Sequence, residues 1–161
     1  MRLHLLFCVL AVTTLFGAPN EQKEIQELYA RGLKGDKVAV DQCIKKLEAV
    51  LQREPSNQLA RVYLGSAYTL RSRDLGFGPK KLSALKQGLA VMDEAVAAAP
   101  NEPKVRLARA LTTSALPAIF GRKGESRKDF ELLAKEAERT PAHFDQGELA
   151  AIREHTPSAG R

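Results

Sequence analysis

"RVYLGSAY" (residues 61–68) is a segment in which small and large side chains share one helical face. It belongs to a run in which apolar residues return every three or four positions, the spacing of an amphipathic α-helix. The small Gly65 stands between the larger Leu64 and Tyr68, so a second helix can approach the backbone closely at this point. The segment therefore predicts a helix that packs tightly against a neighbouring helix.

Six further segments show the same period, and no segment shows a convincing alternation of the kind typical of strands. Helix ends are predicted near Gly35, Pro55, Pro100 and Pro117. A capping-box spacing predicts helix starts at Ser126 and Asp145, each with an acid three residues later. The chain is therefore predicted to be all-α.

The composition fits one folded domain. The chain has 161 residues, of which 44% are hydrophobic, 27% charged and only 6% aromatic. This balance excludes a disordered chain and favours helices that pack through small and aliphatic side chains. The net charge of +6 is spread along the chain. Because aromatic residues are scarce and the charge is not concentrated in one arm, no nucleic-acid partner is expected.

The first 18 residues differ from the rest. They have one basic residue, Arg2, followed by an apolar run and then small residues, which is the layout of a secretory signal peptide. Export to the periplasm or outside the cell is expected, with membrane anchoring as the alternative if the segment is not cleaved. Residues 19–156 are then the helical domain, and residues 157–161 a disordered tail.

The two cysteines fall on either side of that boundary. Cys8 would leave with the signal peptide, so Cys43 would have no intramolecular partner. Cys43 lies on an apolar helical face, so it is interpreted as part of the core rather than as a reactive thiol.

The spacing of small, large and Pro residues repeats. Leu64, Gly65 and Tyr68 have the L-G-x-x-Y spacing of the first helix of a tetratricopeptide repeat. The helix that follows resembles the second helix of that family, with steps of four, three and five residues. Those steps occur at Gly88, Met92, Ala95 and Pro100, at Cys43, Leu47, Val50 and Pro55, and, with two polar substitutions, at Asp129, Leu133, Glu136 and Pro141.

Three hairpins within residues 22–142 thus look similar to tetratricopeptide repeats. The resemblance implies an α-solenoid of about three helix hairpins with a C-terminal capping helix. It also implies a non-catalytic module that binds another protein or peptide, here expected in a bacterial cell envelope. The residues matching the groove positions of that family are Val62, Ser66, Thr69, Arg73, Leu107, Leu111 and Ser114.

The chain departs from that family between the two helices of a hairpin. The intervals from Pro55 to Pro100 and from Pro100 to Pro141 are 45 and 41 residues, against a repeat of about 34. The surplus contains Phe-Gly-x-Lys twice, at residues 77–80 and 120–123. Because the same segment occurs in both insertions, each insertion is expected to be a regular part of the repeat, either an extended loop or a helix extension. A phosphate-binding loop is disfavoured, since no buried strand precedes it. Phe77 is expected to tuck onto its hairpin.

Both insertions carry cations. Lys80, Lys81, Arg122 and Lys123 are expected to form a basic ridge along one edge. It could meet an acidic protein, an anionic envelope lipid or a cell-wall polymer, or it could simply be solvated.

No residue pattern indicates catalysis, and no cofactor is expected. His143, Asp145 and His155 lack metal-ligand spacing, and Ser66 lies inside a helix without a nucleophile motif. Two alternatives to a binding module stay open. One is a small exported enzyme or ligand carrier with a site near the inter-helix loops. The other is a structural subunit that self-associates into a homo-oligomer.

Overall fold

Helices account for most of the region that the computed structural model describes, residues 19–156. No strand occurs in that region, so the all-α prediction is confirmed. The predicted signal peptide and tail lie outside the described residues. The α-helices are α1 Pro19–Leu33, α2 Lys37–Arg53, α3 Gln58–Asp74, α4 Pro79–Ala98, α5 Pro103–Ser114, α6 Lys123–Arg139 and α7 Gln146–His155, with 3₁₀ turns at Ala118–Phe120 and Pro141–His143.

Consecutive helices pair as antiparallel hairpins. In the first hairpin, Arg53 at the end of α2 contacts Glu21 at the start of α1, with 2.7 Å between Nη2 and Oε2. In the third, Arg106 of α5 contacts Asp129 of α6 and Ser126 donates a hydrogen bond to the carbonyl of Ala110. In the middle hairpin, the backbones of α3 and α4 approach closely at Gly65 and Gly88.

The first helices of the three hairpins lie side by side and point the same way. Tyr29 of α1 is hydrogen-bonded to Ser66 of α3, and Arg73 at the end of α3 reaches the carbonyl of Gly32 at the end of α1. Ser66 is in turn hydrogen-bonded to Thr112 of α5. As a result, the C-terminal ends of α1, α3 and α5 are neighbours.

The apolar core follows the chain in three clusters. The first joins α1, α2 and α3, the second α3, α4 and α5, and the third α5, α6 and α7 with Phe144. Cys43 is 1% exposed in the first cluster, where the sequence places it. Within residues 19–156, no helix is long and apolar enough to span a bilayer.

Local capping explains several helix starts. Asp36 and Asn57 cap α2 and α3 by accepting a backbone N–H at 3.0 Å, and the predicted capping box at Asp145 is present. The predicted start at Ser126 is wrong, because α6 begins three residues earlier, at Lys123. Ser126 lies inside the helix, buried against α5, where its hydroxyl satisfies a backbone carbonyl.

Most of the first insertion is helix rather than loop, so of the two forms expected, an extended loop or a helix extension, the structure has the helix extension there. α3 continues to Asp74 and α4 begins at Pro79, so only residues 75–78 connect them. The expectation that Phe77 tucks onto the hairpin is wrong, since its side chain is fully exposed. The backbone around it stands clear of the protein: a methyl group added at Gly76 or Gly78 would meet no atom within 4 Å.

Candidate functional site

A groove of about 630 Å³ runs along α1, α3 and α5 and is closed at one end by the segment before α6. We call it the central groove. Its lining is mainly aliphatic and aromatic, and it contains no acidic residue. The lining residues are Tyr29, Leu33, Tyr63, Ser66, Thr69, Leu70, Ser72, Arg73, Lys81, Leu85, Ala108, Leu111, Thr112, Ala115, Leu116, Pro117 and Phe120.

A row of hydroxyls crosses the floor of the central groove. The Tyr29 hydroxyl lies 2.5 Å from Ser66 Oγ, which lies 2.7 Å from Thr112 Oγ1. Thr112 donates to the carbonyl of Ala108 at 2.8 Å. Burial raises the pKa of Tyr29 above its ordinary value, so the phenol stays protonated at neutral pH. Because the side-chain partners of Ser66 are hydroxyls, no general base activates it as a nucleophile.

Two tyrosines form the aromatic part of the floor. The rings of Tyr29 and Tyr63 meet edge to face, with centroids 5.3 Å apart and an interplanar angle of 85°. Burial also raises the pKa of Tyr63 to about 12. The pair gives the groove a rigid, uncharged surface suited to contact with apolar groups.

The charge in the groove is positive. Arg73 is engaged: it donates to the carbonyls of Gly32 and Leu33 at 2.8 and 3.3 Å, and to Asp74 at 3.1 Å. Lys81 also lines the groove, and it makes no ion pair or hydrogen bond with any residue in 19–156. An unpaired ammonium beside apolar walls can contact an anionic group of a ligand.

The structure brings four of the seven predicted groove residues to the central groove: Ser66, Thr69, Arg73 and Leu111. Val62 and Leu107 lie in the core instead, 0% and 3% exposed, because Val62 faces Met92 of α4 and Leu107 faces Phe130 of α6. Ser114 lies beyond the lining, with its hydroxyl bonded to the carbonyl of Leu111.

The groove positions implied by the tetratricopeptide resemblance do not include any residue of α1. Tyr29 and Leu33 belong to the apolar face that predicts the first helix, but the groove positions that the resemblance implies lie only in the second and third hairpins. The segment before α6 was missed as well, since Leu116, Pro117 and Phe120 read as an insertion rather than as a wall.

The predicted basic ridge is divided. Arg122 contacts Asp93 at 2.5 Å and also lies beside Glu125. Lys123 donates to the carbonyl of Ser114. Lys81 lines the central groove, whereas Lys80 borders a separate shallow cleft beside Tyr68 and Arg71. The four cations therefore do not form one free row.

A second polar cluster joins α4, α5 and α6. Asp129, only 2% exposed, accepts two hydrogen bonds from Arg109, each at 2.9 Å, and one from Arg106 at 2.8 Å. Burial raises the pKa of the neighbouring Glu125, and the nearby Arg109 opposes the shift. Since acids and arginines pair within it, the cluster acts as a structural lock: Asp129 joins α6 to α5 within the third hairpin, and Asp93 of α4 joins the middle hairpin to Arg109.

The histidines also have structural surroundings. His143 Nδ1 lies 3.0 Å from Glu136, and His155 stacks on Phe130 with centroids 4.6 Å apart. In the described part of the chain, no three His, Cys, Asp or Glu side chains are arranged to hold a metal ion.

Comparison with known proteins adds no relative to this picture. No protein-family model, no curated protein and no solved structure matches the chain at the significance required. The functional argument therefore depends on the central groove, its hydroxyl row and Lys81.

Proposed function

We propose that this chain is a non-catalytic interaction module, an α-solenoid of three tetratricopeptide-like hairpins capped by α7. In the proposal it holds a segment of another protein in the central groove. The observation that carries it is the parallel placement of α1, α3 and α5 along one groove. In α-solenoids the first helices of stacked hairpins form such a binding surface.

The packing of the middle hairpin supports the tetratricopeptide comparison. Gly65 and Gly88, both at positions where that family has small residues, allow α3 and α4 into backbone contact. Met92, at the large position, is fully buried between hairpins. α7 closes the third cluster through Ile152, as a capping helix would.

The groove also indicates the chemistry of the partner. Its aliphatic lining fits a partner segment with apolar side chains. The hydroxyl row is part of the same lining. Lys81 supplies a positive charge with no counter-ion among the described residues. An apolar segment that carries one carboxylate would therefore fit best. Export to a bacterial envelope, proposed from residues 1–18, would place this partner outside the cytoplasm.

A second candidate follows from the size of the groove. A volume of about 630 Å³ falls in the range of small-molecule pockets. A carrier of a small amphipathic acid would use the same lining and the same lysine. Native mass spectrometry of the purified protein distinguishes the two, because a carrier retains a bound molecule of defined mass.

Selection from a random peptide-display library tests the main proposal. Wild-type protein is the bait, and Leu111→Glu, which places an acid at a partly exposed groove position, is the counter-selection. We expect enriched peptides with apolar residues flanking an Asp or Glu. Binding of such a peptide should fall about tenfold in Lys81→Glu, the order expected when an ion pair becomes a repulsion.

Leu132→Glu is the matched control, because Leu132 is similarly exposed but lies on α6 outside the groove. If selection on wild type without the counter-selection yields only peptides that bind wild type and Leu111→Glu equally, the groove is not the binding site. Ser66 and Thr69 are unsuitable for this test, because both are buried and their replacement by large acids would disturb the fold.

A further inference from the structure

The three connections inside the hairpins lie at one edge of the protein. They meet there because α1, α3 and α5 run in parallel, so their C-terminal ends are adjacent. Leu33, Lys81 and Phe120, one from each connection, line the same end of the central groove. We call residues 33–38, 75–82 and 117–123 together the connection edge.

Each part of the connection edge exposes apolar side chains. Phe77 is fully exposed and Ile119 is 88% exposed. Leu33, Val38 and Leu82 are also exposed. These apolar residues stand at or beside turns, where polar side chains are the usual choice. Their concentration on one edge marks it as an interaction surface.

Lysines adjoin the apolar side chains of the first two connections. Lys34, Lys37, Lys80 and Lys81 make no ion pair or hydrogen bond with any part of the chain that the structure describes. The acid of the edge, Asp36, pairs with Arg31 at 2.6 Å, and the adjoining Asp74 pairs with Arg73 at 3.1 Å. The edge therefore carries an uncompensated positive charge.

The lysines also stand where a helix disfavours them. α2 begins with Lys37, although the Asp36 carboxylate caps that helix. α4 has Lys80 and Lys81 in its first turn and no acid there. α4 has no side-chain cap either. A helix N-terminus is the positive end of the helix dipole, so cations there repel it and an external anion would relieve that repulsion.

We propose that the connection edge binds the surface of a bilayer that contains anionic lipids. Phe77 and Ile119 would enter the interface between headgroups and acyl chains, while the lysines contact lipid phosphates. A lipid surface fits better than an acidic protein, because isolated apolar side chains at turns need no shaped pocket in a fluid interface. Lys81 also lines the central groove, so the lipid contacts are assigned to Lys34, Lys37 and Lys80, which do not depend on what the groove binds.

Co-sedimentation with vesicles tests the charge component. The probes are phosphatidylcholine vesicles with and without about one third phosphatidylglycerol. Lys34→Glu/Lys80→Glu should weaken binding to the anionic vesicles at least tenfold, since each reversal replaces an attraction with a repulsion. Lys45→Glu/Lys135→Glu changes the net charge equally at exposed positions away from the edge, and a change of less than about twofold is expected. Both variants keep residues 1–18, so any contribution of that segment cancels.

A fluorescent reporter tests insertion. The chain has no Trp, so Phe77→Trp introduces a single fluorophore at the connection edge. Its emission should shift to the blue and be quenched by brominated lipids when anionic vesicles are added. Leu132→Trp, exposed on α6, should show neither change. Circular dichroism of each variant confirms that it is folded.

Three results would overturn the proposal. The first is binding of the two charge-reversal variants to anionic vesicles with equal affinity. The second is an unshifted Phe77→Trp spectrum in the presence of vesicles that bind the protein. The third is stronger binding to polyglutamate than to anionic vesicles with an unshifted spectrum, which would assign the edge to an acidic protein surface.

Discussion

Gly65 and Gly88 face each other so closely that neither position has room for a methyl group. A Cβ atom on Gly65 would lie 2.6 Å from the carbonyl oxygen of Gly88, and one on Gly88 would lie 2.5 Å from the carbonyl oxygen of Gly65. Both obstacles are backbone atoms of helices, which cannot rotate away as a flexible side chain can. This reciprocal contact sets the distance between α3 and α4.

Gly65→Ala and Gly88→Ala are therefore expected to destabilise the protein. Alanine is the better helix former by about 1 kcal/mol, but the steric conflict should outweigh that gain and leave a net loss of about 2 kcal/mol. Urea unfolding followed by circular dichroism measures the change. Gly124→Ala is the matched control, because Gly124 lies in α6 with no atom within 4 Å of the added methyl. It should be neutral or stabilising, and equal effects at all three positions would refute the close-contact argument.

Asp129→Asn should remove the lock between α5 and α6. The substitution leaves Arg106 and Arg109 without the buried carboxylate that both contact, and breaking such a pair costs about 3 kcal/mol. Asp41→Asn is the comparison: its ion pair with Arg71 is about half exposed on both sides and should cost less than about 1 kcal/mol. Thermal or urea unfolding measures the loss of stability in each of the two variants. Similar losses for the two variants would mean that the buried cluster does not stabilise the fold.

Cys43 should be unreactive in the folded protein. Burial raises the pKa of its thiol to about 12, so the reactive thiolate is nearly absent at pH 8, and the side chain is also closed to solvent. Alkylation with iodoacetamide, mapped by peptide mass spectrometry to separate Cys43 from Cys8, should require denaturant. Val38→Cys supplies an exposed thiol in the same helix and should react at once. Equally fast labelling at positions 38 and 43 would contradict a buried thiol.

Asp36 should make stability depend on acid pH. The backbone N–H of Ala39 and the side chain of Arg31 hold the pKa of Asp36 below its ordinary value of 3.8. Because the folded-state pKa is the lower one, this stabilisation is present above pH 3.8 and is lost as the pH falls through the native value. Asp36→Ala should therefore be less stable than wild type at pH 7. The difference in free energy of unfolding between the two proteins should become smaller as the pH falls below the folded-state pKa of Asp36.

Unfolding of the two proteins at a series of pH values measures this difference. Asp36→Asn is the control, because asparagine keeps the capping acceptor but does not titrate. A gap between wild type and Asp36→Ala that stays constant down to the lowest pH would exclude Asp36 as the source.

The sequence predicts the helices better than it predicts the surfaces. Ends set by local chemistry, such as the capping box at Asp145 and the stop before Pro100, are visible because the residues that form them are adjacent in the chain. The start at Lys123 has no side-chain cap and leaves no such mark, whereas the start of α4 is marked by Pro79 at its first position. Ser126 imitates a cap, and only packing against α5 shows that it is interior.

The candidate site depends on contacts between distant residues, and the sequence shows these less well. Asp129 reads as a polar substitution in a core face until Arg106 and Arg109 are brought to it. Val62 and Leu107 occupy the expected helices, but they lie on the faces of those helices that pack into the core. Its hydrophobicity predicts that Phe77 is buried. The sequence does not show that the turn between α3 and α4 projects into solvent, where Phe77 is exposed.

The hydroxyl row also fixes the register of the three parallel helices. A slip of one helical turn moves α3 by four residues, so Tyr29 would face Val62 or Leu70 instead of Ser66. Each hydroxyl stranded in that way would cost about 1–3 kcal/mol, whereas neighbouring aliphatic contacts would re-form with little change. The row thus selects one alignment among several that apolar packing alone would leave close in energy. It keeps the shape of the groove constant from molecule to molecule.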